Sequence, residues 1–154
     1  QFKHLVNTFR REIPGITIST DIIVGYPGET EEQFTDTLRL MQELQIDTVN
    51  VARFAPRPGT AAATMNNQVH GNVSKDRSTR LMKAFKEQSL ALHKQWIGRE
   101  CDVIIDEKAK DGMSGRTDSY KTVIVREELA LGTVVKVKIV EAQALCLIGK
   151  VISP

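Results

Sequence analysis

Apolar residues open the chain at helical spacing. Phe2, Leu5, Val6 and Phe9 recur three and four positions apart, and Pro14 with Gly15 ends the predicted helix. Ile16, Ile18, Ile22 and Val24 then share one face of a strand, while Ile23 adds apolar surface to the other. A strand apolar on both faces suits a parallel sheet covered on both sides. Thr30 and Gln33 have the spacing of a capping box, and Glu31 and Glu32 fall in the first turn, where the helix dipole favours acids. Phe34, Leu38, Met41 and Leu44 mark the buried stripe of that helix. Thr48 to Phe54 reads as a second strand, so strand, helix and strand together predict a right-handed parallel crossover. A polar loop over residues 56–74 leads to a long helix from about Ser74 to Gln95, with Leu81, Phe85, Leu92 and Trp96 along its apolar seam.

From Gly98 the period changes to two. Cys101, Val103 and Ile105 alternate with polar residues, as do Val123 and Val125, then Val135, Val137 and Ile139. Leu145, Leu147 and Val151 mark a last strand. Gly112, Gly115, Gly132 and Gly149 read as punctuation between short strands, which predicts an antiparallel barrel of about 55 residues. Two parallel strands alone do not make a stable sheet. The first half is therefore expected to be the tail of a larger α/β barrel. The predicted organisation is residues 1–73 as barrel tail, 74–97 as a connecting basic amphipathic helix and 98–154 as the β-barrel.

Composition narrows the function only slightly. With 41% hydrophobic and 26% charged residues the 154-residue chain can form a core. A net charge of +2 neither requires nor excludes nucleic acid, so the placement of charge must decide. Cys101 and Cys146 lie in apolar alternating runs and read as buried thiols, sparse enough for a reducing cytosol. No C-x-x-C pair exists, so they build no iron–sulfur or zinc site by themselves, and no metal ligand is expected here. His4, His70 and His93 are scattered without a ligand pattern. No apolar run reaches the roughly 18 residues of a membrane span, and neither membrane contact nor a signal peptide is expected.

Four stretches carry candidate chemistry. Gly25 and Gly28 flank Pro27 at the carboxyl end of the first strand, where α/β proteins place ligands. Arg57 stands between Pro56 and Pro58, which hold the loop extended. A stiffened guanidinium suits a phosphate, a carboxylate or an ion pair that pins the loop. Arg53, in the second strand, points either into a barrel interior or into a structural ion pair. Lys75, Arg77, Arg80, Lys83 and Lys86 give the long helix a basic run, read as an RNA-backbone surface or a solvated face. In the barrel, Arg116, Tyr120, Lys121 and Arg126 place an aromatic among cations, which suits single-stranded RNA. Lys136 and Lys138 extend that patch, while Asp106, Glu107, Asp111, Glu127 and Glu128 nearly cancel its charge.

These features occur in one order: Thr20-Asp21-Ile22-Ile23-Val24-Gly25-Tyr26-Pro27-Gly28-Glu29-Thr30, then Ala55-Pro56-Arg57-Pro58-Gly59-Thr60-Ala61-Ala62, the basic helix, and Gly115-Arg116-Thr117. That order resembles the carboxyl-terminal part of the radical-SAM methylthiotransferases. Val49-Asn50-Val51-Ala52-Arg53-Phe54 and Gly115-Arg116-Thr117-Asp118-Ser119-Tyr120-Lys121 are most similar to the archaeal and eukaryotic branch, which modifies threonylcarbamoyladenosine beside the tRNA anticodon. The resemblance implies an α/β fold, a truncated TIM-like radical-SAM barrel, followed by a small all-β OB-like TRAM barrel. It implies a longer cytoplasmic parent with S-adenosylmethionine and two 4Fe-4S clusters. The cluster cysteines would lie in amino-terminal domains that this sequence does not contain, so no catalytic residue is expected here. By resemblance Ile23, Val24, Gly25 and Arg53 face the cofactor, and Arg57, Arg77, Arg80, Lys83, Arg116, Tyr120 and Lys121 face the tRNA anticodon stem-loop. The family spaces its glycine and glutamate three apart at the first motif; Gly25 and Glu29 are four apart. The alternatives are a stand-alone RNA-binding protein with a barrel remnant, and a ribosomal-protein methylthiotransferase.

Overall fold

The computed structural model describes residues 1–153, and the chain divides into two compact units: residues 1–7 with 18–85, and residues 8–17 with 86 onward. The elements run α1 (Phe2–Glu12), β1 (Ser19–Val24), α2 (Glu31–Leu44), β2 (Thr48–Arg53), a 3-10 turn at Ala61–Thr64, and α3 (Gly71–Lys94). Then follow β3 (Glu100–Ala109), β4 (Gly112–Thr117), β5 (Thr122–Val125), β6 (Val134–Ala142) and β7 (Leu147–Ser153).

In the first unit β1 and β2 pair in parallel, from Ser19 opposite Thr48 to Val24 opposite Arg53. The capping box is formed as the spacing predicts: Gln33 N–H donates to the Thr30 hydroxyl at 3.2 Å, and Thr30 N–H donates to Gln33 Oε1 at 3.0 Å. Phe34, Met41 and Leu44 then bury one face of α2 against Val24, Ile46, Val49, Leu81 and Phe85, with Val6 of α1 joining them. Only Val6 of the predicted α1 stripe is buried; Phe2, Leu5 and Phe9 remain 43–47% exposed. Ile16 and Ile18 precede β1 rather than lying within it. Ile23, on the face of β1 away from the core, is 57% exposed.

In the second unit the strands close into a barrel in the order β3-β4-β5-β7-β6. All neighbours are antiparallel except β5 and β7. Val103, Ile105, Val123, Val125, Val135, Val137, Ile139 and Leu147 fill the interior with Met113, as the period of two predicts. Two glycines read as punctuation lie inside strands. At Gly115 of β4 an added Cβ would come within 2.5 Å of the Ile104 carbonyl and Val103 Cγ1; at Gly149 of β7 it would meet Val123 at 2.9 Å. Their absent side chains let strands approach across a narrow barrel. Leu145 lies outside β7 and is 60% exposed, so the last strand begins two residues later than its apolar pattern suggests.

Candidate nucleic-acid interface and strand-end cleft

The first unit gathers three predicted site residues at the ends of its strands. Ile23, Arg53 and Arg57 line one open cleft of about 330 Å³ with Ala52, Phe54 and Thr60. Both arginines are exposed, and among the described residues neither is ion-paired. Val24 and Gly25 are placed differently. The Val24 side chain is fully buried in the core, and its carbonyl accepts from Phe54 N–H at 2.8 Å. Gly25 has φ +76°, and a Cβ there would sit 2.6 Å from Ser74 Cβ, so no other residue fits. Its N–H donates to Glu29 Oε2 at 2.7 Å and is closed to a ligand.

The spacing of four between Gly25 and Glu29 has a structural outcome. Glu29 caps the Gly25 amide and receives Arg77 Nη1 at 2.7 Å, while the same nitrogen also donates to the Glu29 carbonyl at 3.0 Å. The Arg77 side chain is 5% exposed and that of Glu29 13%. Arg77 is therefore corrected from an RNA contact to an internal clamp on the strand-end loop, because its guanidinium is both buried and bonded. Arg80 is half committed: it reaches Glu31 at 2.6 Å and Asp76 at 3.2 Å, and lies 4.8 Å above the Phe34 ring. The hydrogen bond from Arg80, reinforced by attraction to Arg80 and Arg77, holds the exposed Glu31 carboxyl below its ordinary range. Lys83 is exposed and, among the described residues, unpaired.

On the barrel, the turn from β4 to β5 displays Tyr120. Tyr120 N–H donates to the Thr117 carbonyl at 2.9 Å, and Thr117 N–H donates to the Lys121 carbonyl at 3.1 Å. This tight connection forces Tyr120 to φ +65°, a region bulky side chains avoid, and leaves it 72% exposed. Arg116 stacks over its ring at 5.3 Å while donating to Asp106 at 3.1 Å and Thr122 at 2.6 Å. Lys121 lies 5.8 Å above the Trp96 ring, and Arg99 lies 5.3 Å above the same ring. Arg116 and Tyr120 thus come together, and Lys121, next in sequence, is set over Trp96. Trp96 and Arg99 join them, a contribution hidden in sequence because Trp96 reads as the end of a helix seam. Arg126 stands apart, beyond the far end of β5.

Neither cysteine is fully buried as expected. Both are half-buried free thiols, and burial first, then nearby carboxylates, pushes each above the ordinary thiol range. His93 Nδ1 bonds the Gln143 carbonyl at 2.7 Å. No group of three or more His, Cys, Asp or Glu among the described residues is placed to hold a metal ion. No helix among them is long and apolar enough to cross a membrane.

Residues 94–152 match the TRAM domain family. Nearly the whole chain is also similar to curated enzymes. It is 39% identical over 155 residues to the tRNA-2-methylthio-N(6)-dimethylallyladenosine synthase of Moorella thermoacetica, covering 98% of this chain and 35% of that one. It is 41% identical over 152 residues to the probable threonylcarbamoyladenosine tRNA methylthiotransferase of Methanocaldococcus jannaschii, covering 99% and 34%. It is 38% identical over 160 residues to the ribosomal protein uS12 methylthiotransferase of Desulforamulus reducens, covering 97% and 36%. The chain spans about a third of the length of these relatives, and the three identities do not separate their substrates. Among solved structures, Mycoplasma genitalium RNase R in complex with ribose methylated single-stranded RNA aligns over 53% of this chain and 17% of that one, at 13% identity and a TM-score of 0.39, too weak for any assignment. This chain carries a TRAM domain and is similar, through both of its units, to about a third of the length of the methylthiotransferases.

Proposed function

We propose that this chain is the carboxyl-terminal part of a cytoplasmic tRNA methylthiotransferase, a radical-SAM enzyme that converts N6-threonylcarbamoyladenosine beside the anticodon to its 2-methylthio form. The observation that carries the methylthiotransferase reading is the continuous similarity, 38–41% identical, to these enzymes through both units. The choice of nucleoside rests on the resemblance of Val49–Phe54 and Gly115–Lys121 to the archaeal and eukaryotic branch. In this reading residues 1–73 end a TIM-like barrel, residues 74–97 connect, and residues 98–154 form an OB-like barrel that binds the anticodon stem-loop. The five-stranded closed barrel and its displayed Tyr120 support the last part.

The two parallel strands carry Ile23 and two unpaired arginines to one cleft. Ile23 would supply an apolar contact to an adenine ring, and Arg53 or Arg57 a fork for the S-adenosylmethionine carboxylate or a tRNA phosphate. Val24 and Gly25 would shape that wall rather than touch the ligand through side chain or amide. S-adenosylmethionine supplies the radical and the methyl group in this family, with two 4Fe-4S clusters. The clusters do not fit this chain: a 4Fe-4S cluster is held by a set of cysteine thiolates, and the sequence has two cysteines. Their ligands would come from the amino-terminal domains of the same polypeptide.

The test is a chimera. Residues 1–154 replace the matching segment of the Methanocaldococcus jannaschii relative, and tRNA from a strain lacking the modification is analysed by mass spectrometry. The reading expects the 2-methylthio group on threonylcarbamoyladenosine. Modification of dimethylallyladenosine alone, or of a ribosomal protein alone, would reassign the substrate.

A further inference from the structure

The barrel carries a second set of cations that the aromatic patch does not use. Arg126 follows β5, Lys150 lies on β7 and Lys138 on β6, and Lys138 stands directly opposite Lys150 in the β6–β7 register. Like charges facing each other across strands destabilise a sheet. Elsewhere on the barrel Arg116 has Asp106 at 3.1 Å and Lys136 has Asp102 at 4.0 Å. Among the described residues Arg126, Lys138 and Lys150 have no ion pair, although Glu100 lies opposite Lys138 on β3.

A cleft of about 360 Å³ opens at this place, lined by Arg126, Glu127, Val140, Glu141, Ile148 and Lys150. Its wall is made by a bulge. The β6–β7 register slips between Ile139 and Glu141, so Val140 and Glu141 are both exposed where strict alternation would turn one inward. One irregularity therefore sets an apolar side chain and a carboxylate next to each other, beside unpaired cations.

We propose that this cleft seats one nucleotide of a single-stranded RNA segment. The base lies against Val140 and Ile148, an exocyclic amino group donates to Glu141 or Glu127, and flanking phosphates meet Arg126, Lys150 and Lys138. Carboxylate acceptors favour cytosine over uracil, which offers no amino group. The site rests on the RNA-binding reading above but is separate from the aromatic patch. Arg116 and Tyr120 flank the start of β5, and Arg126 follows its end, four residues or about 13 Å along the strand.

The experiment is fluorescence anisotropy of the 154-residue chain with short fluorescein-labelled oligo(C) and oligo(U) at several salt concentrations. Oligo(C) is expected to bind more tightly. The variant R126Q/K138Q/K150Q should lower the salt slope of log K by about 2, at roughly 0.7 per single-strand phosphate contact. E127Q/E141Q should remove the preference for oligo(C). The control K94Q/K108Q/K110Q removes as much charge from other positions and should change the slope less. An equal effect of the control, or an unchanged slope and preference in the cleft variants, would overturn the second site while leaving RNA binding intact. Failure of the wild-type chain to bind either oligonucleotide would overturn the RNA reading itself, and this site with it.

Discussion

The two units differ in what surrounds their most constrained cations. In the α/β unit Arg77 and Arg80 are drawn to Glu29, Glu31 and Asp76, and the buried member of the set fastens a loop. In the barrel Arg99, Arg116 and Lys121 lie against Trp96 and the exposed Tyr120. The units also differ in closure. The barrel pairs every strand on both sides, whereas the two-stranded sheet pairs each strand on one side only, and Ile23 is left exposed. A closed barrel satisfies its own backbone and can devote surface to a ligand; an open sheet needs neighbours. The buried Arg77 of the first unit is structural, while its Arg53, Arg57 and Lys83 stay exposed and unpaired among the described residues. In the barrel the cations beside the aromatic rings are displayed, Arg116 keeping its pair with Asp106.

The largest effect should come from breaking the clamp. Arg77→Met leaves the largely buried Glu29 carboxylate without its partner, and removing one partner of such a pair costs about 3–5 kcal/mol. Far-UV circular dichroism in a urea melt reports the helices. The fluorescence of Trp96, the sole tryptophan, reports the barrel it packs against. The helical transition should move to lower urea and the Trp96 transition should stay. Equal movement of both would abolish the distinction between the units. Gly115→Ala should do the reverse, moving the Trp96 transition by roughly 1–3 kcal/mol through overpacking against Ile104 and Val103.

A smaller effect sharpens the view of the displayed aromatic. Tyr120→Ala keeps a Cβ at φ +65°, whereas Tyr120→Gly does not, so the alanine variant should be less stable by about 1 kcal/mol. Equal stabilities would mean that the turn relaxes. The smallest effect is electrostatic. Because Glu31 titrates below its unfolded value in the folded state, its contribution is complete above the ordinary carboxylate pKa and is lost as pH falls through the lowered one. Stability of the Glu31→Gln variant relative to wild type should therefore change only in that acidic range, and a difference that varies near neutral pH would contradict the assignment.

Much of this architecture is legible in the residues themselves, and the failures have physical causes. The capping box at Thr30 and Gln33, the parallel strand pair and the alternation from Val123 to Ile139 depend on local patterns, and local patterns are what a sequence displays. β4 is missed because Gly112 and Gly115 look like breaks, when the second glycine answers to the close approach of its neighbour β3 at Val103 and Ile104. Arg77 is misread because a run of cations on a helix gives no hint that Glu29 closes over one of them. Trp96 escapes notice as part of the patch because its partner Lys121 lies more than twenty positions onward, and Arg99 because it reaches the patch only through the Trp96 ring. Ile23, Arg53 and Arg57 do converge on a cleft, as their places at strand ends suggest.

The central claim is that the barrel's aromatic–cation patch binds RNA. It is tested most directly by the affinity of the 154-residue chain for a tRNA anticodon stem-loop as salt is raised, beside the variants Tyr120→Ala and Arg116→Ala/Lys121→Ala. The account predicts salt-dependent binding that Tyr120→Ala weakens roughly 5- to 150-fold, the worth of one stacked base. It also predicts a salt slope that falls in the double cation variant. Binding unchanged in both variants would contradict it.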